Sequence, residues 1–129
     1  MDKWIVIPLQ SVGKIKFGMR REEVRSIINK NYTEYKKNRY SQNTTDDFGF
    51  CQIFYDKKNL CEAVEIFEEV EVSMNGITLF PGSVDTAYQI IPGLVQDEYG
   101  LTSTIQSIGI SVLEGKIESI LFGRQGYYL

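Results

Sequence analysis

The sequence predicts an α+β domain in which an antiparallel sheet has helices packed on one face. Three observations predict this fold. Two short segments place apolar residues at i, i+3 and i+4, the spacing of a helix with one buried side. Other segments alternate apolar and polar residues with the period of two that is typical of strands. Turn signals at Asn75-Gly76 and Glu114-Gly115 join alternating segments and indicate antiparallel hairpins.

The length and composition predict a single cytoplasmic domain over residues 1–129. The chain is 43% hydrophobic and 24% charged, as in a globular protein. No apolar run approaches the roughly 20 residues of a membrane span, and residues 1–8 do not form an export signal. Two cysteines, Cys51 and Cys61, are too few for a disulfide scaffold. We expect both to be reduced and to lie on opposite faces of a hairpin.

The first part of the chain predicts a strand, a helix and a polar connection. Ile5–Ile7 has the character of a short edge strand that ends at a proline. Arg20–Lys30 predicts a helix whose buried stripe is Val24, Ile27 and Ile28. Asn31–Asp47 is polar and shows no stable period, so we expect an irregular or partly helical connection.

The middle of the chain predicts a hairpin with an unusually long second strand. Phe50–Tyr55 and Leu60–Met74 are the two strands, and a turn at residues 56–59 separates them. In the long strand the even positions are mostly apolar, whereas the odd positions carry glutamates and Phe67. One face should therefore be core and the other an acidic surface with one aromatic ring.

The last part predicts a second helix and a second hairpin. Ser83 is a suitable N-cap for a helix whose stripe is Val84, Ala87, Ile90 and Ile91, and Pro92-Gly93 ends it. Ile105–Leu113 and Lys116–Phe122 then form the hairpin.

The order of elements predicts two tandem helix-hairpin repeats, over about residues 13–67 and 80–123. The stripe Val24, Ile27 and Ile28 matches Ala87, Ile90 and Ile91 at a constant offset of 63 positions. Each helix is followed by a hairpin, so an extended lead, a helix, a loop and a hairpin occur twice. The alternative is a chance similarity between two amphipathic units.

The first unit also resembles a known family. The segment Gly13-Lys14-Ile15-Lys16-Phe17-Gly18-Met19-Arg20-Arg21-Glu22-Glu23-Val24 is similar to the helix entry of tandem helix-plus-hairpin modules of the β-lactamase-inhibitor-protein-like type, and to that of related small outer-membrane assembly lipoproteins. The resemblance implies recognition of another protein, and in the tandem modules it implies use of the uncovered sheet face. The chain lacks the disulfides of one group and the lipoprotein signal of the other, so no shared partner follows. In size, acidity and lack of catalytic residues the chain also resembles small bacterial toxin-immunity proteins.

Charge is distributed unevenly along the chain. Residues 14–39 carry nine Lys or Arg against three Glu, whereas residues 62–71 carry five Glu and no basic residue. The acidic side predicts a binding platform with aromatic anchors, formed by Glu65, Phe67, Glu69, Glu71, Glu118 and Phe122. Such a platform suits a toxin domain with a basic cleft, because opposite charge speeds association and the bound platform blocks the cleft. The alternative is a solvated outer face that is charged to prevent sheet aggregation.

Two other functions are weaker alternatives. The basic stretch could bind nucleic acid through Arg20, Arg21, Arg25, Lys36 and Lys37 with tyrosines nearby, but the acidic balance of the whole chain disfavours this. Catalysis is disfavoured because the chain has no histidine and no recognisable nucleophile, phosphate-binding or metal-ligand pattern. A carboxylate pair drawn from Glu65, Glu69 and Glu71 would be the remaining enzyme site.

The sequence therefore predicts a non-catalytic immunity or inhibitor protein. It predicts no catalytic residue, no metal and no cofactor. We expect a protein partner rather than a membrane or nucleic acid, and a monomer or weak dimer in the absence of that partner.

Overall fold

A computed structural model describes residues 2–128 and shows an α+β fold with more strand than helix. The helices are α1 (Arg21–Ile28) and α2 (Val84–Ile90). The strands are β1 (Asp2–Ile7), β2 (Ser11–Val12), β3 (Ile15–Lys16), β4 (Thr33–Tyr35), β5 (Thr45–Asp47), β6 (Cys51–Tyr55), β7 (Cys61–Ile66), β8 (Val70–Met74), β9 (Ile77–Phe80), β10 (Leu94–Gln96), β11 (Leu101–Ser103), β12 (Ile108–Leu113) and β13 (Lys116–Gly123).

The larger sheet has eight strands in the order β10-β11-β12-β13-β7-β6-β5-β4. Every neighbouring pair in this sheet is antiparallel. The strands β13 and β7 lie at its centre and β10 and β4 at its edges. The antiparallel sheet that the sequence predicts is therefore present, but with more strands than were expected.

The smaller sheet has five strands in the order β3-β2-β1-β8-β9. Strand β1 pairs in parallel with β8 and antiparallel with β2, so it is an interior strand. The prediction of an edge strand at Ile5–Ile7 was wrong because the apolar strand β8 pairs with β1 rather than extending the larger sheet.

One hydrophobic core joins the two sheets and both helices. Val24 of α1 and Ala87 of α2 are fully buried in it, together with Met74 from the smaller sheet and Val64 from the larger one. The helices and the smaller sheet thus share the inner side of the larger sheet. This agrees with the prediction that helices pack on one face of an antiparallel sheet, and the smaller sheet adds to that layer.

The predicted long strand Leu60–Met74 is broken into β7 and β8. The chain leaves the larger sheet at Phe67–Glu69, where Glu69 has a φ of 65° and the amide of Phe67 donates to the carbonyl of Phe50 at 2.9 Å. A positive φ is uncommon for a glutamate and marks a sharp change of direction. The prediction was wrong because alternation continues through the bend, although the two halves bury their apolar residues from different sheets.

The polar segment Asn31–Asp47 is not wholly irregular. It contains β4 and β5, which extend the larger sheet by two short antiparallel strands. Three-residue strands of polar composition show no period in a sequence, because their ladder hydrogen bonds, rather than apolar alternation, hold them in place.

The helix starts and the hairpin turns follow the sequence closely. The Ser83 hydroxyl accepts the amide of Thr86 at 3.4 Å and caps α2, whereas Arg20 makes no side-chain cap for α1. Asn75-Gly76 and Glu114-Gly115 all have positive φ, from 52° to 77°. These values confirm the tight turns that join β8 to β9 and β12 to β13.

Matching hydrogen bonds tie each helix start to the hairpin that follows it. In the first half, the amide of Cys61 donates to the carbonyl of Met19 at 2.8 Å. In the second half, the amide of Ile117 donates to the carbonyl of Gly82 at 3.1 Å. Gly82 lies 63 positions after Met19, which is the offset between the two predicted helix stripes, and Ile117 lies 56 positions after Cys61.

Neither helix found between residues 2 and 128 has the length and apolar character required to cross a membrane.

Candidate functional site

The outer face of the eight-stranded sheet is the candidate functional site. It is defined by one row of paired residues that crosses all eight strands: Thr33, Asp47, Gln52, Glu65, Leu121, Gly109, Thr102 and Val95. Neighbours of this row along the strands, such as Ile53, Val64 and Ile108, are fully buried in the core. Because successive side chains alternate between faces, the row points away from the core.

The middle of the outer face is covered by two tyrosines from the end of the chain. Tyr127 and Tyr128 pack against Phe54, Ala63 and Leu121, and their own rings meet edge to face with centroids 5.2 Å apart. The outer face is therefore partly apolar at its centre, where a polar surface was expected.

Two glycines make room for these tyrosines. A Cβ atom at Gly109 would overlap the hydroxyl of Tyr128, and one at Gly123 would overlap the Cβ of Tyr127. Any larger residue at either position would displace a tyrosine from the sheet. Glycine at both positions therefore fits the chain end to the outer face.

A hollow of about 500 Å³ lies beside Tyr128, over strands β10 to β12. We call it the tyrosine hollow, and its lining includes Val95, Asp97, Tyr99, Thr102, Ser111 and Tyr128. Val95 is 65% exposed and Tyr99 is 84% exposed, so both are free to contact another molecule. A volume of this size can receive one or two protein side chains or a small ligand.

Asp97 holds the loop at the rim of the tyrosine hollow. One oxygen of its carboxylate accepts the amides of Tyr99 at 2.8 Å and Gly100 at 2.9 Å. The other oxygen accepts the hydroxyl of Thr102 at 3.4 Å. These hydrogen bonds hold the backbone of the loop that carries Tyr99, which lowers the backbone entropy lost when a partner binds its exposed ring.

The outer face is negatively charged around its tyrosines. Burial raises the pKa of Tyr35, and the charges of Asp47 and Glu65 raise it further. Burial likewise raises the pKa of Tyr128 to about 12, with additional effects from Glu65 and Asp97. Each tyrosine is therefore a neutral hydrogen-bonding group at pH 7 that lies in a field of carboxylates.

Two hydrogen bonds join side chains on the outer face. The Tyr35 hydroxyl donates to the side-chain oxygen of Gln52 at 2.7 Å, and the Ser119 hydroxyl donates to the carboxylate of Glu65 at 3.0 Å. The ammonium group of Lys37 lies 4.8 Å from the ring centre of Phe54, so one cation borders the same face. The three carboxylates of Asp47, Glu65 and Asp97 carry more negative charge than this one cation neutralises.

The structure brings only Glu65, of the six residues of the predicted platform, to this face. The prediction that the six share one face was wrong. Phe122 is paired with Val64 and is 2% exposed, because it points into the core. Glu71 belongs to β8 in the smaller sheet, opposite Lys3 of β1. The Lys3 ammonium and the Glu71 carboxylate form an ion pair at 3.8 Å.

The remaining three platform residues also lie elsewhere. Phe67 and Glu69 are in the bend between the two sheets. Glu118 is exposed at the start of β13, beside the irregular pairing near Ser111 and Val112. The bend after β7 separates residues that strict alternation would have kept on one face.

Most residues of the outer face were not predicted from the sequence, although one sequence pattern indicates that this face is covered. Ile120-Leu121-Phe122 and Ile53-Phe54-Tyr55 are continuous apolar runs, and both runs are buried throughout. Such runs are typical of strands that are covered on both faces. They indicate that something covers the outer face, and the tyrosine pair at the chain end is the covering group.

The basic stretch of the first half is largely used inside the fold. The guanidinium of Arg25 makes two 2.8 Å hydrogen bonds to the carboxylate of Asp46, which is fully buried, and a third at 2.9 Å to Glu34. The Tyr55 hydroxyl also donates to Asp46, at 2.9 Å. Arg21 lies over the Tyr55 ring at 4.0 Å. Arg21 and Arg25 are therefore not free to bind phosphates, which weakens the nucleic-acid alternative.

Neither cysteine has the character of a nucleophile. Burial raises the pKa of Cys51 to about 12, and it raises the pKa of Cys61 to about 12 as well. At neutral pH both are thiols rather than reactive thiolates.

The two cysteines are free, and both point into the same core rather than to opposite faces, so that prediction was wrong. An irregular pairing near Phe54 and Tyr55 shifts the alternation by one residue. Cys61 is paired with Tyr55, four residues along β6 from Cys51, so the two thiols are roughly 13 Å apart and too distant for a disulfide.

Within residues 2–128, no group of three or more cysteine or carboxylate side chains is placed to hold a metal ion.

Comparisons with known proteins add no assignment. No protein-family model matches the chain, and no curated protein or solved structure is significantly similar to it.

Proposed function

We propose that this chain is a non-catalytic protein-binding domain that docks onto its partner through the outer face of the eight-stranded sheet. The observation that carries the proposal is the tyrosine hollow on a sheet face that has no second layer of helix or strand within residues 2–128. Tyrosine is enriched at binding hot spots because it offers a large, rigid contact area together with a hydroxyl group. The exposed Tyr99, beside the hollow wall formed by Tyr128, provides this chemistry.

The partner that this face suits best is a bacterial toxin domain with a basic cleft. Asp47, Glu65 and Asp97 give the outer face its negative charge, and complementary charge increases association rates and excludes partners of like charge. A lysine or arginine of the cleft would enter the tyrosine hollow, where aromatic rings and a carboxylate both favour a cation. The domain would then act as an immunity or inhibitor protein, because occupation of the cleft blocks its substrate.

The same proposal includes a duplicated unit, in keeping with the resemblance to tandem inhibitor modules. The strand order of the larger sheet is symmetric about its centre, with four strands from each half of the chain. The register of β7 and β13 is symmetric as well: Ile66 pairs with Ile120 and Val64 with Phe122, on either side of the pair Glu65 and Leu121. The matching hydrogen bonds at the two helix starts point the same way.

The test is co-expression with the protein encoded next to this one, followed by affinity capture and a growth assay. We expect a tight complex and rescue of growth from a toxic neighbour. Tyr99→Ala should weaken the complex by about tenfold or more, as truncation of a hot-spot residue does. The matched control is Tyr40→Ala, since Tyr40 is also highly exposed, at 77%, but does not line the tyrosine hollow.

A charge variant tests the electrostatic part of the proposal. Glu65→Lys should slow association and reduce its dependence on salt, whereas Glu71→Lys, in the smaller sheet, should leave both unchanged. The absence of any complex and of rescue would count against the immunity function. A complex that tolerates both Tyr99→Ala and Glu65→Lys would count against the outer face.

A further inference from the structure

A second hollow, of about 330 Å³, opens between α1 and the smaller sheet, away from the outer face. We call it the tryptophan hollow. Its apolar lining includes Trp4, Ile27, Ile28 and Phe50, and the Trp4 and Phe50 rings meet edge to face with centroids 5.7 Å apart. The hollow is thus the place where the hydrophobic core reaches the surface beside an aromatic pair.

Glycine keeps the tryptophan in this position. A Cβ atom at Gly13 would come within about 3.0 Å of the Trp4 ring, and the φ of Gly13 is 60°. The indole therefore lies directly on the turn between β2 and β3, with part of its surface left to solvent. A partly exposed aromatic floor of this kind suits a flat aromatic ligand.

The mouth of the tryptophan hollow is positively charged. Its charged residues are Asp2, Lys3, Lys14 and Lys30, so three ammonium groups face one carboxylate. Lys3 is also paired with Glu71 at 3.8 Å. Among residues 2–128, neither Lys14 nor Lys30 has a carboxylate within ion-pair distance.

Lys30 places one of these positive charges next to the aromatic pair of Trp4 and Phe50. Its ammonium group lies 4.7 Å from the ring centre of Phe50, above the same aromatic pair that lines the hollow. A ligand whose ring rests on Trp4 would therefore have its edge near this cation. An anionic group on that edge would gain an ion pair as well as apolar burial.

From this arrangement we propose that the tryptophan hollow binds a small aromatic carboxylate. The ring of the ligand packs against Trp4 and Phe50, and its carboxylate lies between Lys14 and Lys30. This site is independent of the proposed protein-binding face, since the lining of the tryptophan hollow and that of the tyrosine hollow have no residue in common.

The test uses 2-naphthoate and its uncharged analogue 2-naphthamide as probes. Trp4 is the only tryptophan in the chain, so it gives a single indole N–H signal in a proton–nitrogen correlation spectrum. We expect 2-naphthoate to shift that signal saturably, with an affinity about fivefold or more above that of 2-naphthamide, because two cations meet the carboxylate.

The variant Lys14→Gln/Lys30→Gln should bind 2-naphthoate no more tightly than 2-naphthamide. The control Lys57→Gln/Lys58→Gln removes two exposed lysines from the β6–β7 turn and should leave both affinities unchanged. Ile27→Glu places a carboxylate at the hollow on a side chain that is already 40% exposed, and it should abolish the shift by 2-naphthoate. An indole signal that does not move, or a Lys14→Gln/Lys30→Gln variant that binds 2-naphthoate as the wild type does, would overturn the proposal.

Discussion

At the scale of single residues, several charged side chains and both thiols have structural roles. Asp46 is a carboxylate without solvent contact, and its hydrogen bonds to Arg25 and Tyr55 connect α1 to β5 and β6. The sequence pattern does not predict this ion pair because Asp46 lies 21 positions after Arg25. Because a buried charge is tolerated when it is paired, the network stabilises the position of α1 on the sheet.

Asp46→Asn should destabilise the fold by about 2–3 kcal/mol. The substitution removes the buried one of the two carboxylates that pair with the Arg25 guanidinium and leaves Glu34. The cost is below that of a fully buried pair because Glu34 remains and because the Arg25 side chain is 24% exposed. Urea unfolding measures the effect, with Glu68→Gln as an exposed control that should change stability by less than about 0.5 kcal/mol. Equal stabilities of the two variants would contradict the role given to Asp46.

Both thiols should resist a disulfide reagent in the native state. Cys51 and Cys61 are fully buried and each has a pKa of about 12, so almost no thiolate is present at pH 8. Ellman's reagent should find no reactive thiol until denaturant is added, when it should find two. Lys57→Cys, at an exposed turn, is the positive control and should add one rapidly reacting thiol. Rapid reaction of the native wild-type chain would show that the core opens at β6 or β7.

At the scale of elements, the sequence predicts what local chemistry determines and misses what distant pairing determines. The two helices follow from apolar spacing and the cap at Ser83, although Ile27 of the stripe predicted to be buried is 40% exposed. The hairpin turns follow from Asn75-Gly76 and Glu114-Gly115. The short strands β4, β5, β10 and β11 are held by neighbours in the sheet, which a local pattern does not contain. The break after β7 was missed for the same reason.

The packing of the chain end on the sheet can be tested at Gly109. Gly109→Ala should displace Tyr128 and lower its pKa from about 12 toward the ordinary value near 10. Because the folded pKa of Tyr128 is the higher one, its contribution to stability is complete below pH 10 and is lost as the pH rises from about 10 through about 12. Tyrosinate absorbance during an alkaline titration measures the shift.

Two further variants complete the alkaline titration. Tyr128→Phe assigns the transition, because its loss removes one titrating phenol from the curve. Ser73→Ala, in the smaller sheet, is the matched small substitution and should leave the titration unchanged. If Gly109→Ala gives the wild-type curve, Tyr128 does not depend on this glycine for its place.

At the scale of the whole molecule, the arrangement of the two sheets determines where the predicted binding residues lie. The core predicted from the alternation is present, yet the predicted binding face is not, because the chain passes from one sheet to the other after Ile66. Of that face, only Glu65 remains on the outer side of the larger sheet. The tyrosines on this outer side come from a loop and from residues 127 and 128, where sequence alternation gives no information about position.

The central strands of the larger sheet should be the most protected from hydrogen exchange. Amides of β7 and β13 open only with the whole core, whereas β4 and β10 are edge strands that can open locally. We expect exchange at Val64 and Ile120 to be slower than at Glu34 and Val95 by about a hundredfold or more. Mass spectrometry or NMR of exchanging amides measures the difference, and equal rates at centre and edge would contradict the single-core description.

The symmetric register between β7 and β13 has a consequence for ancestry. If the two halves arose from one shorter gene, the product of that gene would have ended its sheet at an unpaired central strand, a form prone to self-association. Two copies would have paired through that strand in antiparallel fashion about a two-fold axis, which now passes between Glu65 and Leu121. Fusion of the two copies would then have let each half diverge, and a symmetric homodimer would have become a single chain with two unlike halves.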